Sequence, residues 1–125
     1  MNESFRPQSK LFTRKDVTNI MIDEIIKKQL EQYARSLRQQ NIPVQKMFLY
    51  GSWARGKQNQ WSDIDVAVVS KQFGKDRIDE MVTLRMAALP INPAISPFPM
   101  RLEDLEDRFG TVANAVKKDG REVVV

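Results

Sequence analysis

Gly51-Ser52-Trp53-Ala54-Arg55-Gly56, a six-residue spacer, then Asp63-Ile64-Asp65 running into Val66-Ala67-Val68-Val69 is the stretch that decides how this chain folds. Ile64–Val69 is β-branched and apolar on both faces, the mark of a strand in the middle of a sheet. Val44–Tyr50 reads as a second strand that runs straight into Gly51. The polar residues 51–62 between them form the loop, punctuated by Gly51 and Gly56.

Other elements follow outward from these two strands. Before them, Val17, Ile20, Met21, Ile25, Leu30, Tyr33, Ala34 and Leu37 recur at three- and four-residue spacings, which predicts a long helix from about Thr13. Thr13 or Thr18 caps its start, and Asn41-Ile42-Pro43 ends it. Residues 1–12 read as an irregular arm before one domain spanning 13–125. After the Asp-Ile-Asp strand, Gly74-Lys75-Asp76 opens a short helix carried by Ile78, Met81, Val82, Arg85 and Met86. Residues 90–99 hold Pro90, Pro93, Pro97 and Pro99, which confine that segment to an edge strand or a loop. Short helices near Leu102–Asp107 and Thr111–Lys118 and a last strand from Arg121 complete the order. The expected fold class is α/β (α+β): a small mixed β-sheet flanked by helices.

Composition narrows the chemistry. The chain has 125 residues, 42% hydrophobic and 29% charged, which suits one folded domain. No apolar run is long enough to span a bilayer, and the first residues lack the apolar core of a signal peptide, so the expected location is cytoplasmic. With neither Cys nor His, the usual zinc ligands, the thiolate nucleophile and the usual neutral-pH base are all excluded. What remains is carboxylates, hydroxyls, Lys, Arg and backbone amides, and carboxylates suit hard cations such as Mg²⁺. Charge is uneven: residues 1–60 carry eleven Lys or Arg against five Asp or Glu, residues 61–125 nine against eleven. The basic half could attract phosphates. It lacks the aromatic interleaving of a nucleic-acid surface, so nucleic acid is not the expected partner.

Within the deciding stretch each residue type suits one task. Gly51, without a Cβ, lets backbone approach a ligand closely. Ser52 offers a hydroxyl and an amide where a helical turn can begin, a favourable place for phosphate. Arg55 brings a planar charge matched to phosphate oxygens. Asp63 and Asp65 are two apart at the start of a strand and so point to one face. Two such charges 4 Å apart repel by about 4 kcal/mol at an effective dielectric of 20, and a divalent cation between them reverses that cost. Taken one at a time these residues are commonplace turn and surface residues; the combination is not.

Gly51-Ser52-x-Ala54-Arg55-Gly56 followed by Ser62-Asp63-Ile64-Asp65 resembles the signature of the minimal nucleotidyltransferases, in the DNA polymerase β-like nucleotidyltransferase superfamily. The resemblance is specific over residues 47–69. It implies a mixed sheet flanked by helices, two Mg²⁺ ions, and transfer of a nucleoside monophosphate from ATP or another nucleoside triphosphate. It implies that Asp63 and Asp65 are catalytic metal ligands and that Gly51, Ser52, Arg55 and Ser62 bind the nucleotide. The family's third carboxylate is missing: no acid lies between Glu80 and Glu103, and Asn92 stands where one is expected. Asn brings a carbonyl oxygen but no charge. Glu103 or Asp104 are the fallback.

Two functions follow from the resemblance. One is an enzyme that moves AMP from ATP onto a hydroxyl of a partner protein and so acts as antitoxin to a HEPN-type helical toxin. The other is a catalytically weak or silent nucleotidyltransferase-fold module that neutralises such a partner by binding it. Partner contact is expected through Ile22 and Ile26 beside the main stripe of the first helix and through Ile95 and Phe98. A homo-oligomer stays open.

Overall fold

Ile64–Val69 lies where its composition places it, inside a four-stranded sheet. The structure, a computed structural model, describes the backbone of residues 14–59 and 61–125 and the side chains of 23–59 and 61–125. Its elements in order are α1 (Arg14–Gln39), β1 (Lys46–Tyr50), α2 (Ser52–Arg55), β2 (Ile64–Val69), α3 (Arg77–Ala88) and β3 (Ile95–Met100). A 3₁₀ turn (Leu102–Glu106), α4 (Thr111–Asp119) and β4 (Arg121–Val123) follow. The strand order is β3-β2-β1-β4. β1 is antiparallel to both β2 and β4, and β3 runs parallel to β2 through the α3 crossover. The sheet is therefore mixed and its helices lie against it, as the sequence predicts.

The end of α1 follows from its residues. Asn41 takes a left-handed φ of 65°. Ile42 N–H then donates to Leu37 O at 3.0 Å and Asn41 N–H to Arg38 O at 3.0 Å, closing the last turn. The buried face of α1 is Ile26, Leu30, Tyr33, Ala34 and Leu37. That corrects the expected stripe at two positions: Ile25 is 54% exposed and Ile26 is buried in its place. Ile26 continues the row of Leu30, Ala34 and Leu37 at helical spacing, so it belongs to the core and is no free docking residue. Val17, Ile20, Met21 and Ile22 lie outside the described side chains. Thr18 falls inside the helix and does not cap it; Thr13 and the arm 1–12 lie outside the described residues.

Two apolar clusters sandwich the sheet. On one face α1 and α3 pack over Met47, Leu49, Ile64, Val66, Val68 and Ile95. On the other, α4 covers Ala67, Val69 and Met100 with Ala113 and Val116. The proline-rich segment divides: residues 90–94, with Pro90 and Pro93, form a turn, and Pro97 and Pro99 lie in the edge strand β3, where Ile95 is fully buried and Phe98 half-buried. Both are expected as partner contacts; instead Ile95 joins the core under α1 and α3, and Phe98 packs against the α4 cluster on the other face. The α3 periodicity also needs correction. Its buried residues are Leu84, Ala87 and Ala88, while Ile78, Met81, Val82 and Met86 face outward.

Candidate functional site

β1 ends at Tyr50 and the chain turns at Gly51, with φ 75° and ψ −151°. A Cβ at Gly51 would collide with Asp65 Oδ2 and approach Asp65 Cγ to 3.2 Å. Only glycine serves here, because both the backbone angle and the contact exclude a side chain. Ser52–Arg55 then makes a single helical turn, closed when Arg55 N–H donates to Gly51 O at 3.2 Å and Lys57 N–H to Ser52 O at 2.9 Å. Gly56, left-handed at φ 70°, ends it. No side chain caps the start of this turn, so the Ser52 end of it stays open.

What holds the turn is Trp53, whose ring is buried, and Arg121 of β4, whose Nη2 donates to Trp53 O at 3.2 Å. Arg121 gave no sign in the sequence, because a hydrogen bond spanning 68 residues has no local signature. Behind Trp53, on the α1 face of the sheet, a cavity of about 430 Å³ is lined by Leu30, Leu49, Trp53 and Arg121 among others. It lies on the side of the sheet away from Asp65 and is not the cleft described here.

Ser62 delivers the acidic pair. Its Oγ accepts from Asn59 N–H at 2.9 Å and its own N–H donates to Asn59 O at 3.0 Å, closing a turn before β2. Asp63 is exposed and Asp65 is half-buried. Asp65 pairs with Tyr50 on one side and Ser96 on the other. Paired residues share a face, so Tyr50, Asp65 and Ser96 form a row across three strands. Burial raises the pKa of Asp65 above the usual carboxylate value, Asp63 raises it further, and Arg55 opposes both. Burial and the Asp65 charge push the Tyr50 hydroxyl up to about 12.

Gly51, Arg55, Asp63 and Asp65 are therefore brought together, with Ser52 opening the turn beside them. Asn92 is not at the register position expected of a third ligand. Its Nδ2 donates to Gln29 Oε1 of α1 at 2.9 Å and its Oδ1 accepts from Ala94 N–H at 2.9 Å. The residue of β3 alongside Asp65 is Ser96. Glu103 and Asp104 follow the far end of β3, where Asp104 accepts from Arg101 N–H at 2.8 Å and Glu103 pairs with Arg101 at 2.6 Å. That end of the parallel strand adjoins Val69, not Asp65. Among the described residues no three Asp or Glu gather as a metal cluster. Two carboxylates are nonetheless a fitting donor set for Mg²⁺, which keeps several waters and takes the rest of its shell from substrate phosphates.

Residues 27–122 match the family described as nucleotidyltransferase domain. A solved structure from Sulfolobus solfataricus, assigned to the nucleotidyltransferases, is similar at 21% identity and TM-score 0.55, over 83% of this chain and 80% of that one. A toxin–antitoxin structure with AMP-PNP is similar at 24% identity and TM-score 0.50, over 78% of this chain and 72% of that one. These likenesses show the fold. No curated protein matches the chain.

Proposed function

The chain belongs to the nucleotidyltransferase domain family, and we propose that it transfers AMP from ATP, with Mg²⁺, onto a hydroxyl of a partner protein. The family generally uses a nucleoside triphosphate and a divalent metal. One observation carries the reading: Asp65, which feels the like charge of Asp63, lies against Gly51 at a contact only glycine allows, beside the open Gly51-Ser52 turn. Gly51 and Ser52 hold the terminal phosphates, Arg55 balances charge beside them, and Asp63 and Asp65 hold Mg²⁺, which neutralises the triphosphate. The acceptor oxygen bonds to the α-phosphorus, the bond to the β-phosphate oxygen breaks, pyrophosphate leaves, and the hydroxyl proton passes to solvent. The protein supplies position and charge.

In this reading Ser62 acts by fixing the turn that aims Asp63, and Ser96 occupies the place of the third carboxylate. The partner is a helical toxin of HEPN type, this chain is its antitoxin, and both are cytoplasmic. Likeness to a toxin–antitoxin fold solved with AMP-PNP supports a toxin as the partner. No described helix is long and apolar enough to cross a membrane. The second reading, a nucleotide-binding module with weak or no transfer that restrains its partner by binding, is favoured by Ser96, which carries no charge where an acid would complete the set. Co-expression with the neighbouring gene product and intact-mass analysis separates the two. A partner heavier by one or more nucleotidyl groups supports transfer; a complex of unmodified chains supports the binding module.

A further inference from the structure

Along α3 the outward residues are Ile78, Val82, Met86 and Leu89, at spacings of four, four and three. They form one row directly opposite the buried Leu84, Ala87 and Ala88. Their exposure is large for apolar side chains: 77% at Ile78, 54% at Val82 and 61% at Met86. With Met81 at the rim they leave roughly 500 Å² of apolar surface open, as much as the largest patch on a typical monomer. The exposed Arg85 borders the row and turns its guanidinium back to the sheet edge, where Nη1 donates to Ile95 O at 2.7 Å, so the four side chains of the row itself carry no charge.

The adjoining sheet edge is closed to strand pairing. Ile64 N–H donates to Ala94 O and Ser70 N–H to Met100 O, so the even-numbered residues of β3 turn their peptide groups toward β2. The outward amide positions are then 95, 97 and 99. Ile95 N–H is taken by Asn92 O at 3.0 Å, and Pro97 and Pro99 have none. An edge that offers acceptors but no free donors is a poor template for another strand. Side-chain packing on α3 is the stronger basis for association on this side of the molecule.

We propose that the outer face of α3 is the contact surface between two copies of this chain, packed as an antiparallel helix pair. The row is self-complementary about a two-fold axis between Val82 and Met86. That axis lays Ile78 against the partner's Leu89 and Val82 against the partner's Met86, so apolar meets apolar throughout, as an isologous interface requires. The row spans about 16 Å, enough for three turns of contact. Two such faces together bury about 1,000 Å², the lower bound for a specific interface, so the dimer is concentration-dependent. Between Met81, Val82, Arg85, Met86, Ser96 and Pro97 a groove of about 290 Å³ borders the row and can take the rim of the second copy.

The absence of cysteine makes the test clean. Sedimentation velocity of the purified chain from low micromolar to millimolar concentration should show monomer passing to dimer. Val82→Arg, and separately Ile78→Lys, should halve the mass at the high end with circular dichroism and melting unchanged, since both residues are exposed. Val82→Cys together with Met86→Cys should cross-link into covalent dimers on mild oxidation. A natural chain that stays monomeric to millimolar concentration overturns the proposal. So does a dimer that survives both single substitutions, because the contact then lies elsewhere.

Discussion

Gly51 lies against Asp65 so closely that a methyl group on the first would occupy the space of the second's Oδ2. Gly51→Ala is therefore expected to displace the Asp65 carboxylate as well as strain a backbone at φ 75°. Stability should fall by about 1–3 kcal/mol in urea titration, and Mg²⁺-dependent ATP binding should be lost at temperatures where the variant is still folded.

Removing the paired charges should act in the opposite sense on stability. Asp63→Asn with Asp65→Asn relieves a repulsion that raises the Asp65 pKa and removes no apolar contact. The double variant should melt no lower than the natural chain in calorimetry while losing Mg²⁺-dependent nucleotide binding. A sharply lowered melting temperature would show that the pair has a structural role.

Acidity should weaken metal and nucleotide binding together. Burial and Asp63 hold the Asp65 pKa above its ordinary value, so its proton is retained to a higher pH than in the unfolded chain. Folded stability from this group is thus fullest below the ordinary carboxylate pKa and declines as pH rises through the raised one. Mg²⁺ competes with that proton. ATP affinity with Mg²⁺ should fall as pH drops through the raised pKa, with proton release on binding, seen as a buffer-dependent enthalpy in titration calorimetry.

Ser96 is the residue alongside Asp65 on β3. Ser96→Asp places a third carboxylate in the row and should raise nucleotide transfer about tenfold or more, equivalent to 1.4 kcal/mol at the transition state. Label incorporated from α-labelled ATP reports it. Asn92→Asp should leave the rate unchanged, since both polar ends of Asn92 are already bonded to Gln29 and Ala94. A rate that responds to position 92 instead would restore Asn92 as the third ligand.

Under the sheet, Tyr33 is fully buried and its hydroxyl donates to Leu84 O at 2.7 Å, tying α1 to α3. Tyr33→Phe keeps the ring and removes that bond. It should cost about 1 kcal/mol in urea denaturation, with the slope unchanged.

The motif and the central strand were legible because their signals are local: Gly51 follows a strand by one residue, and Asp63 and Asp65 are two apart. Strand β2 showed its interior place through apolar residues on both faces. Register was not legible. Whether Asn92 or Ser96 stands beside Asp65 depends on where α3 ends and how many residues the turn to β3 consumes, and a slip of four residues leaves the apolar pattern intact. The faces of α1 and α3 escape the sequence for a related reason. Ile25 and Ile26 both fit an apolar stripe, and on α3 the larger apolar residues suggest a core face that Leu84, Ala87 and Ala88 in fact supply. Arg121 reaches Trp53 only because β4 pairs with β1, which no local pattern reveals.

The central claim is that Asp63 and Asp65 serve a divalent cation that accompanies a triphosphate at Gly51-Ser52. Titration calorimetry of the purified chain with ATP, in Mg²⁺ and again in EDTA, tests it most directly. The account predicts saturable binding in Mg²⁺ that disappears in EDTA and in the Asp63→Asn, Asp65→Asn variant. Equal affinity with and without Mg²⁺, or binding in Mg²⁺ that the double variant retains, would contradict it.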